Sequence, residues 1–428
     1  MADFLLGKAF SYSETALDPY AKYRWINVEP YVEDQWKVRR NLTVTAGLRY
    51  TYYQPEYEER NFFASFDPTT WVASQAPTVN ANGTLVPGSG NFANGIIVAG
   101  KNSPYGNALF ASKKNVFAPR IGLAWDVTGR GKTSVRAGYG IFYDRWGSYS
   151  QFGGLYNPPL NQKPLVFDTL LSNPGGAPGT IFPPLVWGVG NPWNYPQIQK
   201  WSAGIQQEVG FDTSVSVAYV GTKGTHLLGS LNLNQPTPAG QQNIIAGANP
   251  NTVVPYQGYG PIYFVDPVFN SNYNSLQVSV LHRLRHDVAF QVSYTYSQTK
   301  TDNSSPWNMP QDSRNIRADK GLASFDIPQV LTFNYVWDIP GFRGSSGAMK
   351  TALGGWQVSG ITEMQKGFPA TVTLATDNEG VPCCGPERAN QIAGASGPKT
   401  RTQWFNTSAF AYPTPGTFGN EQIGRAHV

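Results

Sequence analysis

The sequence predicts an all-β fold, a transmembrane antiparallel up-and-down β-barrel, and three observations predict it. Apolar and small polar residues alternate with period two along about ten segments. Short turns and long Gly/Pro-rich connections take turns between those segments. The composition is rich in turn-formers and aromatics (45 Gly, 33 Pro, 14% aromatic) and carries 14% charged residues, against about 25% in soluble domains.

The segments follow in chain order. A weak alternation runs through 25–38. From Leu42, the residues Leu42, Val44, Ala46, Leu48, Tyr50 and Tyr52 share one face, and Thr43, Thr45, Gly47, Arg49 and Thr51 share the other. Another weak stretch covers 117–127. Val135, Ala137, Tyr139, Ile141 and Tyr143 then alternate with Ser134, Arg136, Gly138 and Gly140. Weaker versions cover 201–209, 213–220 and 273–284. Val288, Phe290, Val292, Tyr294 and Tyr296 alternate with Ala289, Gln291, Ser293, Thr295 and Ser297. Leu331, Phe333, Tyr335, Trp337 and Ile339 alternate with Thr332, Asn334, Val336 and Asp338, and 356–365 closes the series weakly. The small face of Gly, Ser, Thr, Asn, Gln and scattered Arg suits a wet interior. A soluble sandwich alternates too, so the pattern alone does not choose between them.

The connections choose. Turns at 39–41, 128–132, 210–212 and 285–287 are short, whereas 54–115, 147–197, 221–271 and 299–328 are long and polar. Short turns on one side and long loops on the other are the pattern of outer-membrane barrels, and loops of that length are uncommon in compact soluble domains. Trp36, Trp125, Trp337 and Trp356 lie at the short-turn ends; Tyr50, Tyr52, Tyr143, Tyr219, Tyr294 and Tyr296 lie toward the long loops. Two aromatic belts are what two water–lipid interfaces select. Strand propensity also favours Tyr and Trp, but it does not sort them by loop length. Leu42 to Tyr50 spans roughly 27 Å at about 3.4 Å per residue, enough to cross a tilted band of about 25 Å. Pro30 and Pro119 run against closure, because a closed barrel has no free edge to hold a proline.

Other classes are excluded. Mean hydropathy is −0.33 and no apolar run is long enough for a transmembrane helix. The net charge of +5 is dispersed, which argues against a nucleic-acid partner. Four His and two adjacent cysteines offer no metal spacing. Cys383 and Cys384 are expected as two thiols in a loop, since a disulfide between neighbours closes a strained ring. Residues 131–133 (GKT) resemble the end of a phosphate loop, but Asp126 stands where its first Gly belongs and a strand follows. No catalytic constellation and no cofactor site is legible. No secretory leader follows Met1, so an exported chain is expected to begin upstream.

Ten segments follow one another along the chain: 3–7 (DFLLG), 31–38 (YVEDQWKV), 42–50 (LTVTAGLRY), 117–126 (FAPRIGLAWD), 131–144 (GKTSVRAGYGIFYD), 217–227 (VAYVGTKGTHL), 270–280 (NSNYNSLQVSV), 317–326 (RADKGLASFD), 353–361 (LGGWQVSGI) and 404–420 (WFNTSAFAYPTPGTFGN). Together they resemble the barrel of an Oar-like TonB-dependent outer-membrane transporter, over nearly the whole chain to about residue 421. The resemblance implies a barrel of about 22 strands with an N-terminal plug inside, energised by TonB, embedded in outer-membrane lipid and binding an extracellular cargo. Neither plug nor TonB-contacting segment is recognisable here. The fold expected is therefore an incomplete barrel, about ten or more strands of a larger one. Residues 1–421 form the partial barrel. Residues 422–428 (QIGRAHV) resemble a translated sequencing adapter and are expected to be a non-native tail that packs on nothing. Residues 327–329 depart from the basic residues expected after Phe325-Asp326, which puts the lead-in to the next strand in question.

The functional expectation is energised uptake of an unidentified cargo by a non-enzymatic barrel. Its alternatives are a non-transporting surface or adhesive barrel and a secreted carbohydrate-binding β-protein. Arg49, Arg120, Arg136 and Gln291 are expected to point into the lumen, toward plug or cargo, or else to bridge neighbouring strands. Tyr259 and Tyr263, beside Gly258 and Gly260, are candidates for stacking on a sugar or aromatic ligand, with loop packing as the plainer role. Lys223 and His226 read as strand-end features.

Overall fold

The computed structural model describes residues 2–15, 20–145, 153–161, 163–176, 179–285, 287–339, 347–348, 355–421 and 426–427. Its frame is a run of long strands: β1 Tyr31–Arg39, β2 Leu42–Tyr53, β3 Val116–Asp126, β4 Thr133–Tyr143, β5 Gln197–Gly210, β6 Thr213–Asn232, β7 Ile262–Arg285, β8 Val288–Thr301, β9 Gln329–Asp338 and β10 Gln357–Gln365. Each pairs antiparallel with the next in sequence, from β1 to β10.

Register decides which residues share a face, because directly opposed residues project to the same side. One row runs Leu42–Trp125–Val135–Ile205–Val217–Val278–Tyr294–Leu331–Met364, apolar or aromatic on every strand from β2 to β10. The adjacent row, on the opposite face, runs Thr43–Ala124–Arg136–Gly204–Ala218–Gln277–Thr295–Val330–Gln365 and is small or polar nearly throughout. The apolar face is uncovered: Leu48, Phe117, Ile121, Trp125, Tyr139, Ile205 and Tyr219 are all exposed. A soluble protein rarely exposes an apolar surface of that extent, whereas a membrane strand must. The sandwich alternative fails here.

The short turns are built tightly. Phe211 and Asp212 join β5 to β6 with φ of 50° and 53°, the left-handed pair that a two-residue hairpin requires. Between β3 and β4 the Asp126 carboxylate accepts the N–H groups of Gly129 (3.0 Å) and Gly131 (2.8 Å). The phosphate-loop-like triplet is thus part of an Asp-capped turn. The prolines find places as well. Pro30 precedes edge strand β1 and its carbonyl accepts the Tyr50 N–H at 3.0 Å. Pro119 falls one residue beyond the last pair of the β3–β4 ladder. At 327–329 the lead-in is ordered: the Asp326 carboxylate accepts the Thr299 N–H at 2.6 Å, and β9 starts at Gln329.

Four expectations need correction. Strands β6 and β7 continue to Asn232 and back from Ile262, so the loop expected at 221–271 narrows to 233–261. Beyond the lipid both faces of a strand meet protein or water, so the ladder persists without alternation. Lys223 and His226 lie inside β6 rather than at its end. Cys383 and Cys384 are joined as a disulfide rather than standing as two thiols. Of the tail 422–428, only Ala426–His427 is described, and its backbone pairs with Pro369–Ala370 instead of lying free. The sheet does not close among the described residues: β1 and β10 are edges, each paired along one side.

Candidate functional site: a cap built from the long loops

The long connections fold together. Ala64–Phe66 pairs antiparallel with Ile96–Val98 and, through Phe66–Gly188, parallel with Val186–Val189, which runs parallel to Ile262–Val265 of β7. Three segments from two different loops are thereby stitched onto one barrel strand. Two apolar clusters fill the body they form. One gathers Tyr53, Phe63, Leu109, Phe110, Trp193 and Tyr195; the other gathers Phe66, Ile96, Val186, Tyr259 and Ile262. Tyr53 extends the polar face of β2 beyond Arg49 and Thr51, so the cap grows out of the loop end of the sheet.

Arg49, Arg120, Arg136 and Gln291 all lie on the polar face by register. Arg49 pairs with Glu29 at 3.3 Å and sits over the Tyr31 ring at 5.7 Å. Arg120 lies over Phe142 at 4.8 Å, a ring that Lys200 approaches at 5.8 Å from the other neighbouring strand. Arg136 stands opposite Ala124 and Gly204, small neighbours that leave it exposed. Gln291 donates to Ser293 at 3.4 Å. Arg49 and Arg120 are brought close, on adjacent strands; Arg136 and Gln291 stand apart from them and from each other.

The two loop tyrosines separate. Tyr259 is 1% exposed, packs edge-on against Phe66 at 5.7 Å and donates its hydroxyl to the Asn94 carbonyl at 2.8 Å. Burial pushes its pKa up. Its ring has no open face, so it is a core residue of the cap rather than a ligand platform. Tyr263 instead lines a cavity of about 430 Å³ shared with Asp302, Trp307, Met309 and Cys384. Its ring meets Trp187 edge-on at 5.0 Å, and the Cys384 Sγ lies 3.4 Å from its hydroxyl.

Beside that cavity is a charged core that sequence reasoning missed. Arg388 and Asp319 form an ion pair at 2.7 Å with 3% of each side chain exposed. The Arg388 Nε donates to Gln311 Oε1 at 3.0 Å, and the Gln311 N–H donates to Asp319 Oδ2 at 2.9 Å. Burial raises the Asp319 pKa despite the opposing pull of Arg388. Nearby, burial first and the Glu387 charge second push Glu379 up to about 8. The one mark in the sequence was 317–326 (RADKGLASFD), a segment that carries the family resemblance and holds Asp319; its partner lies 69 residues on and carries no local mark.

The chain matches the outer membrane beta barrel domain family over residues 1–427. It belongs to that family. The outer-membrane barrel fold accounts for the uncovered apolar face, which meets lipid, and places the protein in the outer membrane. Among solved structures it is similar to the ferripyoverdine receptor of Pseudomonas aeruginosa bound to ferripyoverdine, at 12% identity and TM-score 0.40, covering 83% of this chain and 30% of that one. It is similar also to the outer membrane transporter YddB from Escherichia coli (12%, TM-score 0.42, 83% and 44%) and to the alcaligin outer membrane receptor FauA from Bordetella pertussis (11%, TM-score 0.34, 80% and 38%). The chain spans less than half the length of each. No curated protein matches it.

Proposed function

We propose that this chain is the transport barrel of an energised outer-membrane receptor, taking up an extracellular cargo when TonB acts on a plug seated against the polar face. The observation that carries the reading is the cap: connections far longer than a structural barrel needs are folded into a cored body that extends one face of the sheet. Recognition is expected of long loops positioned by a rigid scaffold. The short turns then face the periplasm and the cap faces outward. Arg49, Arg120, Arg136 and Gln291 supply the polar wall along which plug or cargo lies.

The test has two arms in the native host. A single cysteine introduced at Asn82, in the cap, should react with an impermeant maleimide on intact cells, and one at Asp212, in a short turn, should not. Growth across a panel of carbon, nitrogen and iron sources should reveal a condition on which loss of this gene and loss of TonB give the same defect. Labelling at Asp212 alone would invert the sidedness. A defect that persists unchanged when TonB is removed would favour a surface barrel that transports nothing.

A further inference from the structure

The polar face of the sheet carries three cations around a bare floor. Register sets Arg120 of β3, Gly140 of β4 and Lys200 of β5 side by side in one row. The next row toward the short turns is Gly122, Gly138 and Ser202, and the one after it holds Arg136 between Ala124 and Gly204. A Cβ at Gly138 would touch only the Ile121 carbonyl oxygen, at 3.7 Å, and one at Gly122 only the Thr45 Cβ, at 3.9 Å. No described side chain therefore covers the two glycines of the middle row, and the floor is about 10 Å wide across its three strands.

The first row is built so that its charges stay available. Phe142, two residues beyond Gly140, folds back over it, and a Cβ at 140 would lie 3.1 Å from its ring. Arg120 leans onto that ring from one side, 4.8 Å from the centroid, and Lys200 from the other, at 5.8 Å. A guanidinium stacked by its face keeps its N–H edge for other partners. Only the Arg120 Nε is sealed off without a partner; its two Nη groups stay open. Among the described residues no carboxylate lies within ion-pair distance of Arg120, Arg136 or Lys200. The acids nearest by register are engaged elsewhere. Asp126 accepts the Gly129 and Gly131 N–H groups, and the Glu33 carboxylate lies over Gly47, on the side of Arg120 away from Phe142. Two cations on one ring, with a third along the same wall, are complementary to an anion from outside the chain.

We propose that this basin binds a soluble phosphate monoester, its phosphate held between Arg120 and Lys200 and its body lying over Gly122 and Gly138. A phosphate dianion has three terminal oxygens, so the Arg120 fork takes two and the Lys200 ammonium the third. A monocarboxylate has two oxygens and a single charge, too little for both cations. Lipid phosphates are excluded by the face, since lipid meets the apolar side of the sheet and the basin lies on the other. Arg136, about 14 Å from the first row along the strand, adds attraction without contact. The proposal rests on the uptake reading only in calling this ligand a cargo; the binding step needs neither plug nor TonB.

The test is calorimetry at low salt on the purified full chain in dodecyl maltoside, with glucose 6-phosphate as probe. Saturable binding is expected for glucose 6-phosphate and for inorganic phosphate, and none for glucose. Arg120→Gln removes a bidentate charge-assisted pair and should weaken binding at least tenfold. Arg120→Lys keeps the charge, loses the fork and should restore only part of that. Lys200→Gln, at an exposed position that the fold does not need, should weaken binding at least threefold, and Lys200→Arg should bind as wild type does. Arg130→Gln removes the same charge from a short turn and should change nothing. Absence of saturable phosphate binding, glucose or succinate binding as tightly as glucose 6-phosphate, or equal weakening by Arg130→Gln and Lys200→Gln would each overturn the proposal. Because this assay contains no TonB, its failure leaves the uptake reading standing, and failure of uptake leaves this binding result standing.

Discussion

Replacing Val292 with arginine tests the membrane reading at its most sensitive point. Val292 sits on the apolar face between Val280 of β7 and Phe333 of β9. Along β8 it is equidistant from Val288, opposite Trp337 of the short-turn belt, and from Tyr296 of the loop-side belt. At about 3.4 Å per residue each belt is roughly 14 Å away along the strand, which puts Val292 near the bilayer midplane. An Arg there costs about 2–4 kcal/mol, falling toward 0–1 near the interfaces. The matched control is Gln291→Arg, one residue back on the polar face, where the expected change is within about 0.5 kcal/mol. A charge in the loop at Gly88 is a weaker control. Its φ of +74° strains any side chain, although no atom lies within reach of a Cβ there. Urea titration of the chain folded into phospholipid vesicles reads both variants. Equal destabilisation at Val292 and Gln291 would remove lipid from the argument, and a larger cost at Gln291 would invert the two faces.

Two further outcomes follow from the charged core of the cap. Arg388→Met leaves the Asp319 carboxylate buried without its cation and should cost about 3–5 kcal/mol, whereas Arg388→Met with Asp319→Leu should recover most of it. Thermal unfolding checks this, and a double variant as unstable as the single one would refute it. Glu379 has a folded pKa of about 8 against an ordinary 4.5. Its raised value means the stability it contributes is fully present below about 4.5 and is lost as pH rises to about 8, because the unfolded chain ionises first. Limited proteolysis of the cap should therefore quicken between pH 5 and 8, and Glu379→Gln should flatten that slope; an unchanged slope refutes the assignment.

The strands were legible where lipid constrains them and illegible where it does not. Leu42–Tyr50 and Val288–Tyr296 alternate because one face must be apolar and the other wet. Beyond Val220 that requirement ends, and other contacts choose the residues. Gly221, for example, is required because the Trp201 side chain occupies the space a Cβ would need, 2.2 Å away. A glycine followed by Thr222, Lys223 and Gly224 reads as loop, yet all four lie in the ladder. The edges break the rule as well. Asp34 of β1 stands on the apolar face opposite Ala46, and Ile361 of β10 stands on the polar face opposite Asn334.

The cap was the least legible part, because its decisive contacts join residues far apart in sequence and of unremarkable local pattern. Tyr259 and Tyr263 sit in one glycine-flanked stretch and look alike as sequence. One is buried against Phe66 and bonded to Asn94, while the other lines a cavity beside Cys384. Asn157 and Asn161 are alike in the same way, yet only the Asn157 amide ties its loop to Ala64 and Trp187. The difference in each pair is made by which loop folds over it, and a local pattern carries no record of that. Alternation therefore names the membrane strands of such a barrel and leaves its recognition surface to be read from hydrogen-bond partners.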